Sequence, residues 1–169
     1  DYTNGGQSDA LFLLVVDSLN QKLQVISINR NTMTDIKLCD KEGYRMGTIQ
    51  GQICLQHAFG DAKRISCQRS ADAVADLFGN IPISGYLAMN MGAIPTMNDA
   101  VGGVKVKVLQ NISYPDHNVK LHKGDKVTLN GQEAYYYLRG RDVEKYDSAS
   151  DRLRREEQYI VAYMDRLKA

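Results

Sequence analysis

The sequence predicts an α/β fold: a single domain over residues 1–169, with a central mixed β-sheet and helices packed on its faces. Three observations carry this expectation. Two aliphatic, β-branched runs, Ala10 to Val16 and Leu23 to Ile28, flank a polar turn from Asp17 to Lys22, which is the pattern of a hairpin. Val104, Val106 and Val108 alternate with Lys105 and Lys107, the two-residue period of a half-buried strand. Stretches of helical period closed by caps or glycines stand between and after them, and mixed strands and helices bury their apolar faces by packing in layers.

Composition narrows the function classes. With 169 residues, 43% hydrophobic and 24% charged, the chain can bury a core, which excludes a disordered segment. A formal charge of +1 gives no electrostatic case for nucleic acid, so any anion site must be local. No run reaches the ~18 apolar residues that a membrane helix needs. The chain opens at Asp1 with neither a start methionine nor a signal-like region, and reads as an excised domain. Cys39, Cys54 and Cys67 are odd in number and irregular in spacing, without zinc-site periodicity. Structural thiols are expected, although Cys54 and Cys67 could close a loop of about 14 residues, worth ~3 kcal/mol in an oxidising compartment.

The first strand is continuously apolar, which predicts burial on both faces. A hairpin centred between Leu19 and Asn20 pairs positions whose numbers sum to 39 and sets Asp9 opposite Arg30 at its open end, with Cα atoms roughly 5 Å apart. Two readings are open. The pair is an ion pair closing a hairpin, worth about 0–1 kcal/mol, or Asp9 holds a divalent cation while Arg30 holds an anion beside it, as phosphoryl transfer requires.

Further along, Thr34 to Met46 is polar and irregular and reads as a surface excursion, and Ile49 to Phe59 carries a weak helical period ended by Gly60. Ser66 to Phe78 reads as a helix terminated by Gly79, and Ile81 to Ala88 as a short strand with Pro82 at an edge. Asn90 to Val101 reads as a helix with Pro95 near its start and Gly102 and Gly103 at its stop, with Met89 and Met91 as core filling. Asn111 to Leu129 is polar and turn-rich, and His117 and His122 within it are surface histidines. Asn130 to Leu138 has an N-cap and Glu133 three residues on, and ends at Gly140 between Arg139 and Arg141. Ser148 and Asp151 form a second capping pair, opening a helix to Leu167 with the apolar stripe Leu153, Ile160, Met164 and Leu167. Arg152 and Arg155 flank one side of that stripe, Arg154 and Gln158 the other.

Four blocks then resemble the LytR-CpsA-Psr family, bacterial cell-envelope proteins with an extracellular catalytic domain behind a membrane anchor. They are Ser8-Asp9 with Ser27-Ile28-Asn29-Arg30-Asn31-Thr32, Asn98-Asp99-Ala100-Val101-Gly102-Gly103-Val104, the stretch Leu129-Asn130-Gly131-Gln132-Glu133-Ala134 to Arg139-Gly140-Arg141, and the arginine-rich last helix. The resemblance implies a transferase of cell wall biogenesis, at the extracellular face of the cell membrane behind a missing N-terminal anchor. It would move a phosphoglycan from an undecaprenyl pyrophosphate carrier to peptidoglycan with the help of Mg2+ (or Mn2+).

Carried over by position, the resemblance implies catalytic roles for Asp9, Arg30, Arg139 and Arg141. It implies a pyrophosphate site built from Arg30, Arg139, Arg141, Arg152, Arg155 and Gln158, and metal ligation by Asp9, with Asp1 where the family's upstream acid falls. Asn29 and Asn31 depart from the family by replacing the proline and aspartate usual around the first arginine. The last helix admits two registers: Arg152 and Arg155, or Asp151, Arg154 and Gln158. The spacing from Arg152 to Ile160 favours the first. Two alternatives stand beside the transferase: a non-catalytic polyprenyl-phosphate-binding or regulatory, attenuator-like module, and a pyrophosphate hydrolase. Arginine forks suit the implied chemistry because they bind phosphoryl oxygens bidentately while a metal bridges them, and a polyprenyl tail would need an apolar groove.

Overall fold

The computed structural model describes residues 3–40, 42–140 and 148–168. Strands and helices mix along the chain, as the α/β expectation has it. The expected central mixed sheet is divided: among the described residues the strands pair as four two-stranded ladders, all antiparallel. Antiparallel partners can join through a short turn or enclose a further hairpin, whereas a parallel pair needs a long crossover. The chain forms two compact units, Asp1–Ala88 and Met89–Ala169.

In the first unit β1 (Leu11–Asp17) and β2 (Lys22–Ile28) form the expected hairpin, in register from Leu11 opposite Ile28 to Asp17 opposite Lys22. Asp17 closes its turn by accepting from the Asn20 amide at 3.0 Å and the Asn20 side chain at 2.7 Å. Burial on both faces is not found, since Val16 is 73% exposed and Leu14 and Val15 are exposed as well. Only Leu11 and Leu13, near the open end, reach the small core of Ile28, Ile53, Ala73 and Val74; the hairpin tip runs past it.

Thr34 to Met46 is not a surface excursion. β3 (Met33–Cys39) and β4 (Arg45–Gln52) pair there, with Ile36 and Leu38 buried while Asp35 is exposed and Lys37 half-buried. Alternation over so few residues was masked by the charges between them. A 3₁₀ turn over Ile53–Ala58 replaces most of the expected helix. It places the buried Gln56 against β3, where its side chain accepts from the Lys37 amide at 2.8 Å and donates to the Lys37 carbonyl at 3.1 Å. α1 (Arg64–Leu77) follows, with Gly79 at φ 78° beyond its end as expected. Ile81 to Ala88 forms no strand; Pro82 lacks the amide a ladder needs. Cys39, Cys54 and Cys67 are free thiols, so the Cys54–Cys67 bridge is not made.

In the second unit a short 3₁₀ turn capped by Asn90 leads into α2 (Ile94–Ala100), with Pro95 in its first turn. β5 (Val104–Lys107) pairs with β8 (Lys126–Leu129), and between them β6 (Ile112–Tyr114) pairs with β7 (Val119–Leu121). Asn111 to Leu129 is therefore structured: Ile112, Val119, Leu121 and Leu129 join Val104, Val106 and Val108 in the core. α3 (Gly131–Arg139) starts at a full capping box between Asn130 and Glu133. Gly131 is required there because a Cβ would lie 2.7 Å from the Pro95 carbonyl oxygen. Met91 packs on this core, but Met89 is exposed and fills nothing.

α4 (Ser148–Leu167) spans the expected residues but buries a different face. Arg155, Glu156 and Tyr159 turn inward, while Leu167 of the expected stripe is exposed. Tyr and Arg bury their apolar bodies and keep a polar tip for hydrogen bonding, which a count of aliphatic residues overlooks. The tips are used: Tyr159 donates to Asn98 Oδ1 at 3.1 Å, and Arg166 Nε to the Val101 carbonyl at 2.8 Å.

Candidate functional site

In the first unit the site residues gather where the hairpin opens. Arg30 follows β2 in a turn that Asn29 closes, its side chain accepting from the Asn31 amide at 2.9 Å and its carbonyl from the Thr32 amide at 2.9 Å. An asparagine can shape such a turn through its own side chain, so the turn is closed here without a proline. The Arg30 carbonyl accepts from the Cys54 amide at 3.2 Å, fixing the backbone to the 3₁₀ turn. Its guanidinium forks: Nη1 donates to Asp9 Oδ1 at 3.0 Å and Nη2 to Gln7 Oε1 at 2.7 Å. The Asp9 side chain is 50% exposed and that of Arg30 23%. Gln7 was overlooked in the sequence although the hairpin's own register marks it: it lies two residues before Asp9, hence on the same side of an extended chain.

In the second unit Arg139 is the last residue of α3 and is exposed. Its guanidinium lies over the Tyr135 ring, 5.6 Å from the centroid, and Nη1 donates to the Tyr135 hydroxyl. Arg155 is buried. Its Nε donates to the Tyr137 carbonyl at 2.8 Å, its Nη2 to the Gly140 carbonyl and its Nη1 to Gln110 Oε1. Burial works to lower the Arg155 pKa against the neighbouring Tyr137, Glu156 and Asp151; the guanidinium is still charged, as arginine is throughout the accessible pH range.

Gln158 shares the same neighbour: Oε1 accepts from the Tyr137 hydroxyl at 2.7 Å and Nε2 donates to the Lys107 carbonyl at 2.9 Å. Burial raises the Tyr137 pKa, opposed by the bond from the Leu109 amide and by the Arg155 charge. Arg152 pairs with Glu156, Nε to Oε1 at 3.3 Å, with 14% of its side chain exposed, whereas Arg154 is exposed. Gln158 thus joins Arg155 rather than Arg154, because both meet Tyr137 while Arg154 is exposed. Asp1 and Arg141 lie outside the described residues.

Gly140, expected to use its backbone freedom at the helix end, has an ordinary φ of −53°. What it supplies is space: a Cβ would meet the Tyr136 carbonyl oxygen at 2.8 Å and Ile112 Cδ1 at 3.1 Å.

Comparison with known proteins places this arrangement. The chain is 32% identical over 149 residues to a polyisoprenyl-teichoic acid–peptidoglycan teichoic acid transferase TagU of Halalkalibacterium halodurans, covering 88% of this chain and 43% of that protein. It is 29% identical over 136 residues to the TagU of Bacillus cereus, covering 80% and 39%. The chain therefore spans about two fifths of the length of these curated relatives. Among solved structures it resembles B. subtilis TagV with a TM-score of 0.74 at 25% identity, over 95% of this chain and 57% of that one. Residues 1–169 as a whole match the LytR_cpsA_psr family, and with the motif blocks, the hairpin register and the fold in agreement, the chain belongs to that family.

Proposed function

We propose that this chain carries the transfer chemistry of a glycopolymer phosphotransferase, moving a phosphoglycan from a polyprenyl pyrophosphate carrier to peptidoglycan at the extracellular face of the bacterial membrane. The observation that carries the reading is the Arg30 fork at the hairpin mouth, with a half-exposed carboxylate, Asp9, on one tine. The TagU names of the curated relatives support the substrate class. No described helix is long and apolar enough to cross a membrane.

In this reading Arg30 in the first unit, and Arg139, Arg141 and Arg152 in the second, each supply guanidinium charge suited to a pyrophosphate. Guanidinium pairs suit it because the ligand spreads charge over several oxygens in fixed planes. An acceptor hydroxyl attacks the glycan-bearing phosphorus; the new P–O bond forms as the bond to the bridging oxygen breaks, polyprenyl phosphate leaves with the electron pair, and the hydroxyl proton passes to solvent. Little covalent help is needed from the protein, which positions the groups and balances charge.

Among the described residues no three or more His, Cys, Asp or Glu gather as a metal site, and Asp9 supplies a single carboxylate toward a hard divalent cation of the Mg2+ type. Such an ion is commonly held by one or two carboxylates together with substrate phosphates, and Asp9, beside the Gln7 carbonyl oxygen on the same guanidinium, would be its protein ligand, with Asp1 as a second. When bound, the ion would neutralise charge on the phosphoryl oxygens. Incubating the protein with a lipid pyrophosphate-linked glycan, Mg2+ and peptidoglycan tests the reading. Label on the acceptor is the expected outcome. Free phosphoglycan would mean a hydrolase, and bound but unchanged lipid a binding or regulatory module.

A further inference from the structure

We propose that Arg155, assisted by Gln158, is a positioning residue: it fixes the last turn of α3 and so the direction in which Arg139 leaves that helix. The inference rests on the transferase reading above for its catalytic consequence. The last carbonyls of a helix have no amide of their own helix to accept from, and many helices supply donors by turning the next residue left-handed. α3 does not turn that way, since Gly140 has φ −53° and ψ 124°. Arg155 supplies donors instead, through Nε to the Tyr137 carbonyl at 2.8 Å and Nη2 to the Gly140 carbonyl. Its charge also complements the negative end of the helix dipole.

Arg139 lies in sequence between the two carbonyls that Arg155 holds, so its backbone cannot rotate without breaking one of them. The third nitrogen, Nη1, reaches Gln110 Oε1 and ties the same point to the segment after β5. Gln158 adds a second tie, joining the Tyr137 hydroxyl to the Lys107 carbonyl at 2.7 and 2.9 Å, and that hydroxyl also accepts from the Leu109 amide at 3.3 Å. With 3% exposure and a protein acceptor on each nitrogen, Arg155 presents no open fork to a phosphate. The direct pyrophosphate role implied for it by resemblance is replaced by an indirect one.

A double-mutant cycle of Arg139→Lys and Arg155→Lys tests this. Lysine keeps the charge but cannot span three acceptors. Each single variant should lose about ten- to a hundredfold in kcat/KM, the scale of a small misplacement. The double variant should be within about twofold of Arg139→Lys alone, because Arg155 then has nothing left to position. Amide hydrogen exchange at Leu138 to Gly140 should accelerate in Arg155→Lys. Losses that multiply would make Arg155 a ligand in its own right, and a lowered Tm with unchanged kcat/KM would make it scaffold only; either overturns the proposal. If Arg155→Lys does not fold, Gln158→Ala removes one tie and should give the same pattern more weakly, with multiplied losses or unchanged exchange overturning it equally. A wild type that transfers nothing would sink the transferase reading alone. Exchange at the end of α3 would then decide, with acceleration supporting the positioning role and unchanged rates rejecting it.

Discussion

Arg30 and Asp9 face each other at 3.0 Å across the open end of the β1–β2 hairpin, continuing the register that pairs Leu11 with Ile28. Half the Asp9 side chain is exposed, so as an ion pair alone it contributes only about 0–1 kcal/mol. Asp9→Ala is therefore expected to leave the Tm within a few degrees of wild type, by about the shift such an energy produces. Transfer and its Mg2+ dependence should be lost. Rates measured across a Mg2+ titration check this, and wild-type turnover in the variant would reduce the pair to a hairpin closure.

The arginines of the second unit separate by environment. Arg139 is exposed on Tyr135, where a surface charge at a helix end is worth about 0.3–1 kcal/mol. Arg139→Lys should leave the Tm nearly unchanged and impair transfer, because the ammonium keeps the charge and loses the fork. Arg152 is largely buried against Glu156, whereas Arg154 is exposed. Arg152→Ala should cost more activity than Arg154→Ala, and also more stability, since Glu156 loses a buried partner. The opposite order of activities would favour Asp151, Arg154 and Gln158 as the site residues.

How much of this was legible depended on whether a residue's partner was local. The β1–β2 register followed from turn chemistry alone, and with it the Asp9–Arg30 geometry; the α3 cap followed from Asn130 and Glu133. β6 and β7 have three residues each, too few for a period to emerge, so Ile112 and Val119 read as isolated apolar residues in a loop. The inward face of α4 was misread because Arg155 and Tyr159 bury polar tips whose acceptors, Tyr137, Gly140 and Asn98, are distant in sequence. No local pattern announces such a pairing. The same is true of Gly140, whose role is clearance from Tyr136 and Ile112 rather than a backbone angle.

Acid should weaken the start of α1 through Asp61. Partial desolvation pushes its pKa up, but bonds from the Lys63, Ser66 and Ile65 amides at 2.8, 3.2 and 3.0 Å outweigh this and hold the carboxyl below its ordinary value. A carboxyl depressed in the folded state contributes stability above its unfolded pKa, near 4, and that contribution disappears as pH falls through the folded value. Asp61→Ala should lower the Tm at neutral pH, and the gap to wild type should close below about pH 4. Melting curves across that range check it; a gap that stays constant into acid would mean the carboxylate's charge is not what holds the helix start.

Asn98 is a buried polar residue that ties several elements of the second unit together. It is fully buried; its Nδ2 donates to the Leu129 carbonyl at 2.8 Å, while Oδ1 accepts from the Val104 amide at 3.3 Å and the Tyr159 hydroxyl at 3.1 Å. One amide side chain thus links α2 to β8, β5 and α4, using its donor and acceptor ends toward opposite partners. Asn98→Ala removes the side chain and leaves those groups buried without it, at about 1–3 kcal/mol for each group left unsatisfied. Tyr159→Phe removes only one of the bonds and should cost about 0.5–1.5 kcal/mol. Asn98→Asp is the sharper test, because it keeps size and shape but puts an acceptor oxygen where Nδ2 meets the Leu129 carbonyl. Thermal melts should therefore rank wild type above Tyr159→Phe, and Tyr159→Phe above both Asn98 variants. An Asn98→Asp protein as stable as wild type would show that the donor to Leu129 does not matter, and that Asn98 holds the unit together by packing alone.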